Sequence, residues 1–238
     1  MTRKWVDCDR NFVSRRYDRI AGFVPLFDRL FFLPPNLRRA AVERLQLKRS
    51  DSVLDVGCGT GPSIPCLHAA VGPSGHVYGV DVSAGMLRKA QQICDAHHWD
   101  NVELHLGDVA DFNAPKPLDG VLFSLTYNTL PHHRAVLRKL WDQLRPGGRL
   151  VIMDAKLPPG RAGQLLLPFS LWLMKHTVLS NPLIQPWKEV ADIADHVDMS
   201  ECMFGCYYIC CATKPLAASV RERQASNDNA VRKLQLVR

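Results

Sequence analysis

The chemistry of this chain is concentrated in nine residues, Val53-Leu54-Asp55-Val56-Gly57-Cys58-Gly59-Thr60-Gly61. Val53 to Val56 have the β-branched, apolar character of a buried strand, and three glycines follow in five positions. A strand that runs into glycines and then into a helix brings backbone close to a ligand, because glycine accepts positive φ and has no Cβ to block approach. The spacing Gly-x-Gly-x-Gly differs from the dinucleotide fingerprint Gly-x-Gly-x-x-Gly, and Pro62 stands where the third glycine of that fingerprint would be. Asp55 lies two residues before the first glycine. A carboxylate there repels a pyrophosphate and attracts an ammonium or sulfonium group. The alternative is a tight strand-to-helix turn that holds no ligand.

Other polar groups fall at the ends of apolar runs. Asp81 ends His76–Asp81, 20 residues after Gly61, where a carboxylate can accept both hydroxyls of a ribose. Met86 follows in the first turn of the next helix, as an adenine cover or as plain core, and Ser83 is a suitable N-cap. Asp108 ends the run Asn101–Asp108 and is placed to accept from an adenine amino group; Ser124 and Asp154 end two further runs. The segment Thr126 to His133 is rich in reactive groups. Tyr127, His132, His133 and Asp154 are the expected bases or acceptor-positioning residues, since a histidine titrates near neutrality. The plainer reading of His132-His133 after Pro131 is the surface start of a helix.

The elements that must hold these residues follow from periodicity. Apolar runs at 53–56, 76–81, 101–108, 118–125 and 149–154 alternate with helical patterns at 64–71, 87–97 and 134–144. Alternation of this kind predicts an α/β fold with a doubly wound, mostly parallel sheet, whose ligands sit at the carboxyl ends of the strands. Arg145-Pro146-Gly147-Gly148 reads as a sharp turn. Residues 197–204 and 206–214 read as a closing hairpin, and 186–196 as a helix. The N-terminal 1–49 reads as a helical lid, with amphipathic helices over 10–33 and 36–47. An apolar run within 163–181 reads as a cap helix over the site, too short and too soon interrupted by Lys175 and His176 to span a bilayer. Residues 50–215 form the central domain, with the cap at 160–185, and 216–238 a flexible basic tail.

The net charge of +7 is unevenly distributed: +7 in residues 1–49, −3 in 50–215 and +3 in 216–238. Basic ends suit RNA, an anionic membrane surface or an acidic partner, and serve equally as solubilising charge. Eight cysteines without a Cys-x-x-Cys pair, and an N-terminus with no apolar run, point to reduced thiols in the cytoplasm. Cys202, Cys206 and Cys210 recur every four residues; along one strand they would spread over about 26 Å, too far to share a metal ion, so no metal is expected.

Four stretches together resemble motifs of the class I S-adenosylmethionine (SAM)-dependent methyltransferases: Val53–Gly61, Val77–Ser83, Gly107–Asp108 and Leu144–Asp154, over about residues 10–215. The resemblance implies a seven-stranded Rossmann-like sheet with its last strand antiparallel, and SAM as cofactor. Backbone of Gly57, Cys58, Gly59 and Gly61 would hold the methionine part, with Asp55 near its amino group. Asp81 would take the ribose and Met86 and Asp108 the adenine, with Val82, Val109 and Ser124 also among the cofactor-binding residues. Tyr17-Asp18-Arg19-Ile20 is similar to the start of the ubiquinone/menaquinone-biosynthesis methyltransferases and of bacterial phosphatidylethanolamine N-methyltransferases, where an aromatic at the Tyr17 position closes over SAM. The Asp/Asn-Pro-Pro-Tyr/Phe motif of adenine and amide N-methyltransferases is absent.

The expected activity is therefore methyl transfer to a lipid-like or amphipathic small molecule, either the amine of phosphatidylethanolamine or a prenylated quinol, in the cytoplasm and peripherally at an anionic membrane face. The basic isoelectric point raises an RNA acceptor as the alternative, but no aromatic-basic interleaving supports nucleic-acid binding. A SAM-binding protein without catalysis is the third reading.

Overall fold

A computed structural model describes residues 33–176, 181 and 183–216. A seven-stranded sheet runs in the order β3-β2-β1-β4-β5-β7-β6. Its strands are β1 (Ser52–Val56), β2 (His76–Asp81), β3 (Val102–Leu106), β4 (Leu118–Ser124), β5 (Leu144–Ala155), β6 (Val197–Cys202) and β7 (Tyr207–Thr213). The first five are parallel, whereas β7 lies antiparallel between β5 and β6. The expected doubly wound sheet and closing hairpin are thus present.

Central strands buried on both faces read as unbroken apolar runs. β1 is buried at all five positions, and its neighbours in sequence face opposite sides of the sheet. On one side Leu54 and Val56 pack with Val121, Phe123, Ile152 and Tyr208, beneath α4 (His133–Gln143) and Val190 of α6 (Pro186–Ala191). On the other, Val53 packs with Val77, Leu122 and Val151, beneath α1 (Leu37–Arg44) and α2 (Ile64–Val71). The remaining helices are α3 (Ala84–His97), capped by Ser83 Oγ, which accepts from the Met86 N–H at 3.1 Å, and α5 (Arg161–His176), which carries Pro168 inside it.

The described end of the N-terminal segment, α1, is the expected amphipathic helix and packs on the sheet through buried Leu37, Ala41 and Val42. Three expectations change. The 145–148 turn is absorbed into β5: Leu144 already pairs with Leu118, and an irregularity before Gly120 takes up the kink at Gly147. α6 stops at Ala191, because the chain must turn back to set Val197 against Ala212. The cysteine series does not follow one strand: Cys202 ends β6, Cys206 lies in the turn and Cys210 belongs to β7. Tyr17, the 10–33 helix and all of the tail beyond 216 lie outside the described residues.

Phe123 is fully buried in β4 and meets the Tyr127 ring edge-on at 5.2 Å. Phe123→Ala is expected to cost about 3–5 kcal/mol, measured as the shift in urea unfolding free energy.

Candidate functional site

The sheet order reverses between β1 and β4, whose crossovers run to opposite faces, and that reversal opens a crevice at the strands' carboxyl ends. The cavity there is walled by Asp55, Gly57, Cys58 and Gly59 after β1, and by Asp81, Val82 and Met86 after β2. Asp108 and Val109 after β3 and Ser124 after β4 complete the walls drawn from the expected site residues.

Gly57 adopts φ +61°, and a Cβ built on it would stand 2.3 Å from Thr126 Cγ2. Both the backbone angle and the Thr126 contact therefore demand glycine. The Gly59 N–H donates to Asp81 Oδ2 at 2.8 Å and the Ser83 N–H to Asp81 Oδ1 at 2.9 Å, so Asp81 ties the glycine loop to the start of α3. The Ala110 N–H donates to Asp108 Oδ1 at 2.8 Å and fixes that carboxylate at the rim. Gly61 does not reach the cavity. Its φ is +82° and its α-carbon faces Ile64 and Ala90, so it packs the loop against α2 and α3.

Among the described residues, the cavity wall holds buried side-chain oxygens with no hydrogen-bond partner. Both oxygens of Asp55, a residue 1% exposed, are unbonded, and so is Ser124 Oγ. Burial pushes the Asp55 carboxyl up to about 7; nearby Arg38 opposes the shift and Asp81 reinforces it. Burial and the same two carboxylates also push the Cys58 thiol up, away from a reactive thiolate.

The four residues expected to do acid-base work are absent from this wall. Tyr127 is fully buried in a 3-10 turn (Tyr127–Thr129), and its hydroxyl donates to Glu189 Oε2 at 2.7 Å. Desolvation and Glu189 raise its pKa far above the ordinary phenol value. His133 Nδ1 stands 2.8 Å from the same Glu189 oxygen. His132 is exposed at the N-cap of α4, in the left-handed region at φ 56°. Asp154 is 4% exposed beneath the turn, accepting from Asn128 N–H at 3.2 Å and Ala155 N–H at 2.8 Å. Burial lifts its carboxyl to about 7 against those two bonds. Tyr127, His133 and Asp154 thus surround one turn, and that turn presents Thr126, Thr129, Leu130 and Pro131 to the cavity.

Arg38, Thr126 and Glu189 were not legible as site residues. Arg38 lines the cavity from α1. It lies three and four residues before buried Ala41 and Val42, on the border of the packed face, which separates it from exposed Arg39. Thr126 and Glu189 carry no comparable local signal, since their partners lie 69 and 62 residues away.

Residues 47–203 match the family model described as a methyltransferase domain. The demethylmenaquinone methyltransferases of Geobacillus sp. (strain WCH70) and Listeria welshimeri are each 29% identical over 147 residues, 61% of this chain. The aligned part spans 61% and 60% of their lengths, respectively. Among solved structures, phosphoethanolamine N-methyltransferase 2 of Haemonchus contortus superposes with a TM-score of 0.70 at 15% identity, covering 87% of this chain and 60% of that one. A putative methyltransferase of Haloferax volcanii, solved with the Trm112 activator, gives 0.68 at 16% identity, covering 85% and 97%. At these identities the two structures support the fold alone.

Gly57→Ala is expected to destabilise the protein by about 1–3 kcal/mol, through overpacking and left-handed strain. Adding Thr126→Ser removes the clashing methyl group and should recover part of the loss in urea unfolding, but not the part due to φ.

Proposed function

The chain belongs to the class I SAM-dependent methyltransferases, and we propose that its acceptor is a lipid-like small molecule, a prenylated quinol or the amine of an ethanolamine phospholipid. The observation that carries this reading is an exposed apolar face on α5, the helix that follows β5. Leu165, Phe169 and Trp172 are spaced four and three residues apart and are 82%, 59% and 57% exposed, and the two rings stack at 6.1 Å. The hairpin turn that exposes Met203 and Phe204 abuts the start of this segment: Cys206 O accepts from Lys156 N–H at 2.8 Å, and Gly205 lies against Pro159. The curated relatives are named for demethylmenaquinone, and the Haemonchus enzyme was solved with phosphomonomethylethanolamine. Basic residues in 1–49 suit an anionic membrane surface, at about 1 kcal/mol for each side chain near it. Among the described residues no helix is long and apolar enough to cross a membrane.

The cavity fits SAM on an observation independent of the family. A buried carboxylate with two unbonded oxygens, Asp55, calls for a cationic donor, and the amino group of SAM is one. Arg38 offers the opposite charge at the same wall, suited to the carboxylate of an amino acid. We assign Asp81 and Val82 to the ribose, Met86, Asp108 and Val109 to the adenine, and Gly57, Cys58 and Gly59 to backbone contact with the methionine part. Ser124 Oγ is a second unbonded group in that wall, and Tyr17 is assigned to closure from the N-terminal segment. When bound, SAM supplies a methyl group on a sulfonium that leaves readily. The chain's own contribution is alignment of the acceptor and exclusion of water. Tyr127, His133 and Asp154 serve that alignment by holding the turn at the cavity wall.

Incubation with labelled SAM and a total lipid extract, followed by mass analysis, is expected to show a quinol or an ethanolamine phospholipid gaining about 14 Da per methyl. Label found only in RNA, or in no lipid, would overturn the acceptor class.

The Asp55 assignment has a pH signature. With a carboxyl raised from 3.8 to about 7, the folded apoprotein holds a proton that the unfolded chain has lost. Its stability therefore falls as pH rises through that window. A cationic ligand lowers the pKa again, so S-adenosylhomocysteine, which retains the amino group, should release protons on binding near pH 7. Calorimetry in buffers of different ionisation enthalpy detects that release. Asp55→Asn is expected to abolish it, to bind the ligand more weakly, and to melt at a higher temperature than the wild type at pH 8.

A further inference from the structure

We propose that Glu189 is a positioning residue for the cofactor cavity, acting from α6 without lining the cavity itself. The proposal rests on the reading of that cavity as the SAM site. Glu189 is 6% exposed, and three groups from the β4–α4 connection and the first turn of α4 converge on its carboxylate. Tyr127 Oη donates to Oε2 at 2.7 Å, His133 Nδ1 stands 2.8 Å from the same oxygen, and Arg134 Nε stands 3.2 Å from Oε1. Tyr127 and His133 also pack ring against ring, with centroids 5.4 Å apart.

These grips bracket the cavity wall. Thr129, Leu130 and Pro131 lie between Tyr127 and His133, and Thr126 immediately precedes them. Thr126 carries the constraint onward to the glycine loop. Its Oγ1 stands 3.2 Å from Gly57 O and 3.1 Å from Ser124 O, donating to one at a time, and its methyl group occupies the space a Gly57 side chain would need. A second tie reinforces the first: Asn181 N–H donates to Asn128 O at 2.8 Å. The chain that leaves the acceptor-side helix α5 is therefore bonded twice to the turn that shapes the cofactor site.

A purely structural role would not require a carboxylate. A buried ion pair is commonly no more stabilising than apolar residues of the same volume, but it fixes one geometry among several. Glu189 contacts a phenol, an imidazole and a guanidinium through its two oxygens, which an aliphatic side chain cannot do. Without it, Tyr127 Oη is left buried with no acceptor and the 126–131 wall is free to shift.

The test compares S-adenosylhomocysteine affinity, by calorimetry, with melting temperature in wild type, Glu189→Ala, Glu189→Gln, Tyr127→Phe and Val190→Ala. Glu189→Ala is expected to weaken binding about tenfold and Tyr127→Phe about threefold, in line with loss of one or more buried hydrogen bonds. Glu189→Gln keeps an oxygen for Tyr127 and should recover most of the lost affinity. Val190→Ala removes fully buried core from the same helix. It should lower the melting temperature while leaving affinity within about twofold of wild type, because it keeps the Glu189 carboxylate and the three groups bonded to it. Equal weakening in Val190→Ala at a matched loss of melting temperature, or wild-type affinity in Glu189→Ala, would overturn the proposal. Should Glu189→Ala fail to fold, wild-type affinity in Tyr127→Phe overturns it alone. Absence of binding by the wild type is a separate outcome, and it removes the cofactor reading together with this one.

Discussion

A carboxylate inside a parallel sheet, with no hydrogen-bond donor for either oxygen, is costly, and the carboxyl end of β1 is arranged around Asp55 in that state. Strand pairing on both sides keeps it from solvent. Burial drives it toward the protonated form, and Arg38 only partly opposes that drive. A group held this way discriminates by charge: a cation relieves the desolvation, a neutral ligand leaves it, and an anion worsens it. The glycine loop then makes the approach close. The absence of a side chain at Gly57 admits Thr126, while Gly57 itself borders the cavity.

The same constraint explains why the β4–α4 connection is held so firmly. A site that works by excluding water and aligning two reactants is sensitive to displacements of about 1 Å. The wall opposite the glycine loop is a short 3-10 turn, which few local bonds would fix on their own. Its order comes from outside: Asp154 beneath it, Asn181 beside it and Glu189 behind it. Each of these lies later in the chain than the turn, so this part of the cavity wall borrows its rigidity from β5 and the segments that follow it.

That division decides what the sequence disclosed. Asp55, Gly57, Asp81 and Asp108 were legible because strand-end positions are set by local periodicity, and a parallel sheet places its ligand where those ends meet. Gly61 was misplaced because a glycine motif does not say which member faces the ligand and which packs against a helix; Ala90 decides that, and it lies in another element. Tyr127 and Asp154 were recognised as chemically loaded, but their burial depends on α6 and β7, far along the chain. The sharp turn expected at 145–148 is an irregularity inside β5: its flanks Leu144 and Arg149 pair with Leu118 and Gly120, and distant Lys214 bonds Gly147 and Gly148.

The acceptor side follows different physics. SAM is recognised by fixed charges and backbone, which leave sequence traces of a few residues. A lipid-like acceptor is recognised by apolar surface, which leaves only a run of leucines and aromatics that would look the same in any core. What separates the α5 run from core is that Leu165, Phe169 and Trp172 remain exposed after the sheet is complete. Soluble domains seldom leave a contiguous aromatic and aliphatic face open unless something covers it. That face lies one connection beyond the strand end that carries Asp154, whose carboxylate accepts from Asn128 N–H in the turn beside the cavity. Under the proposed acceptor class, the apolar part of a lipid would rest on the exposed α5 residues and leave its polar end for the crevice.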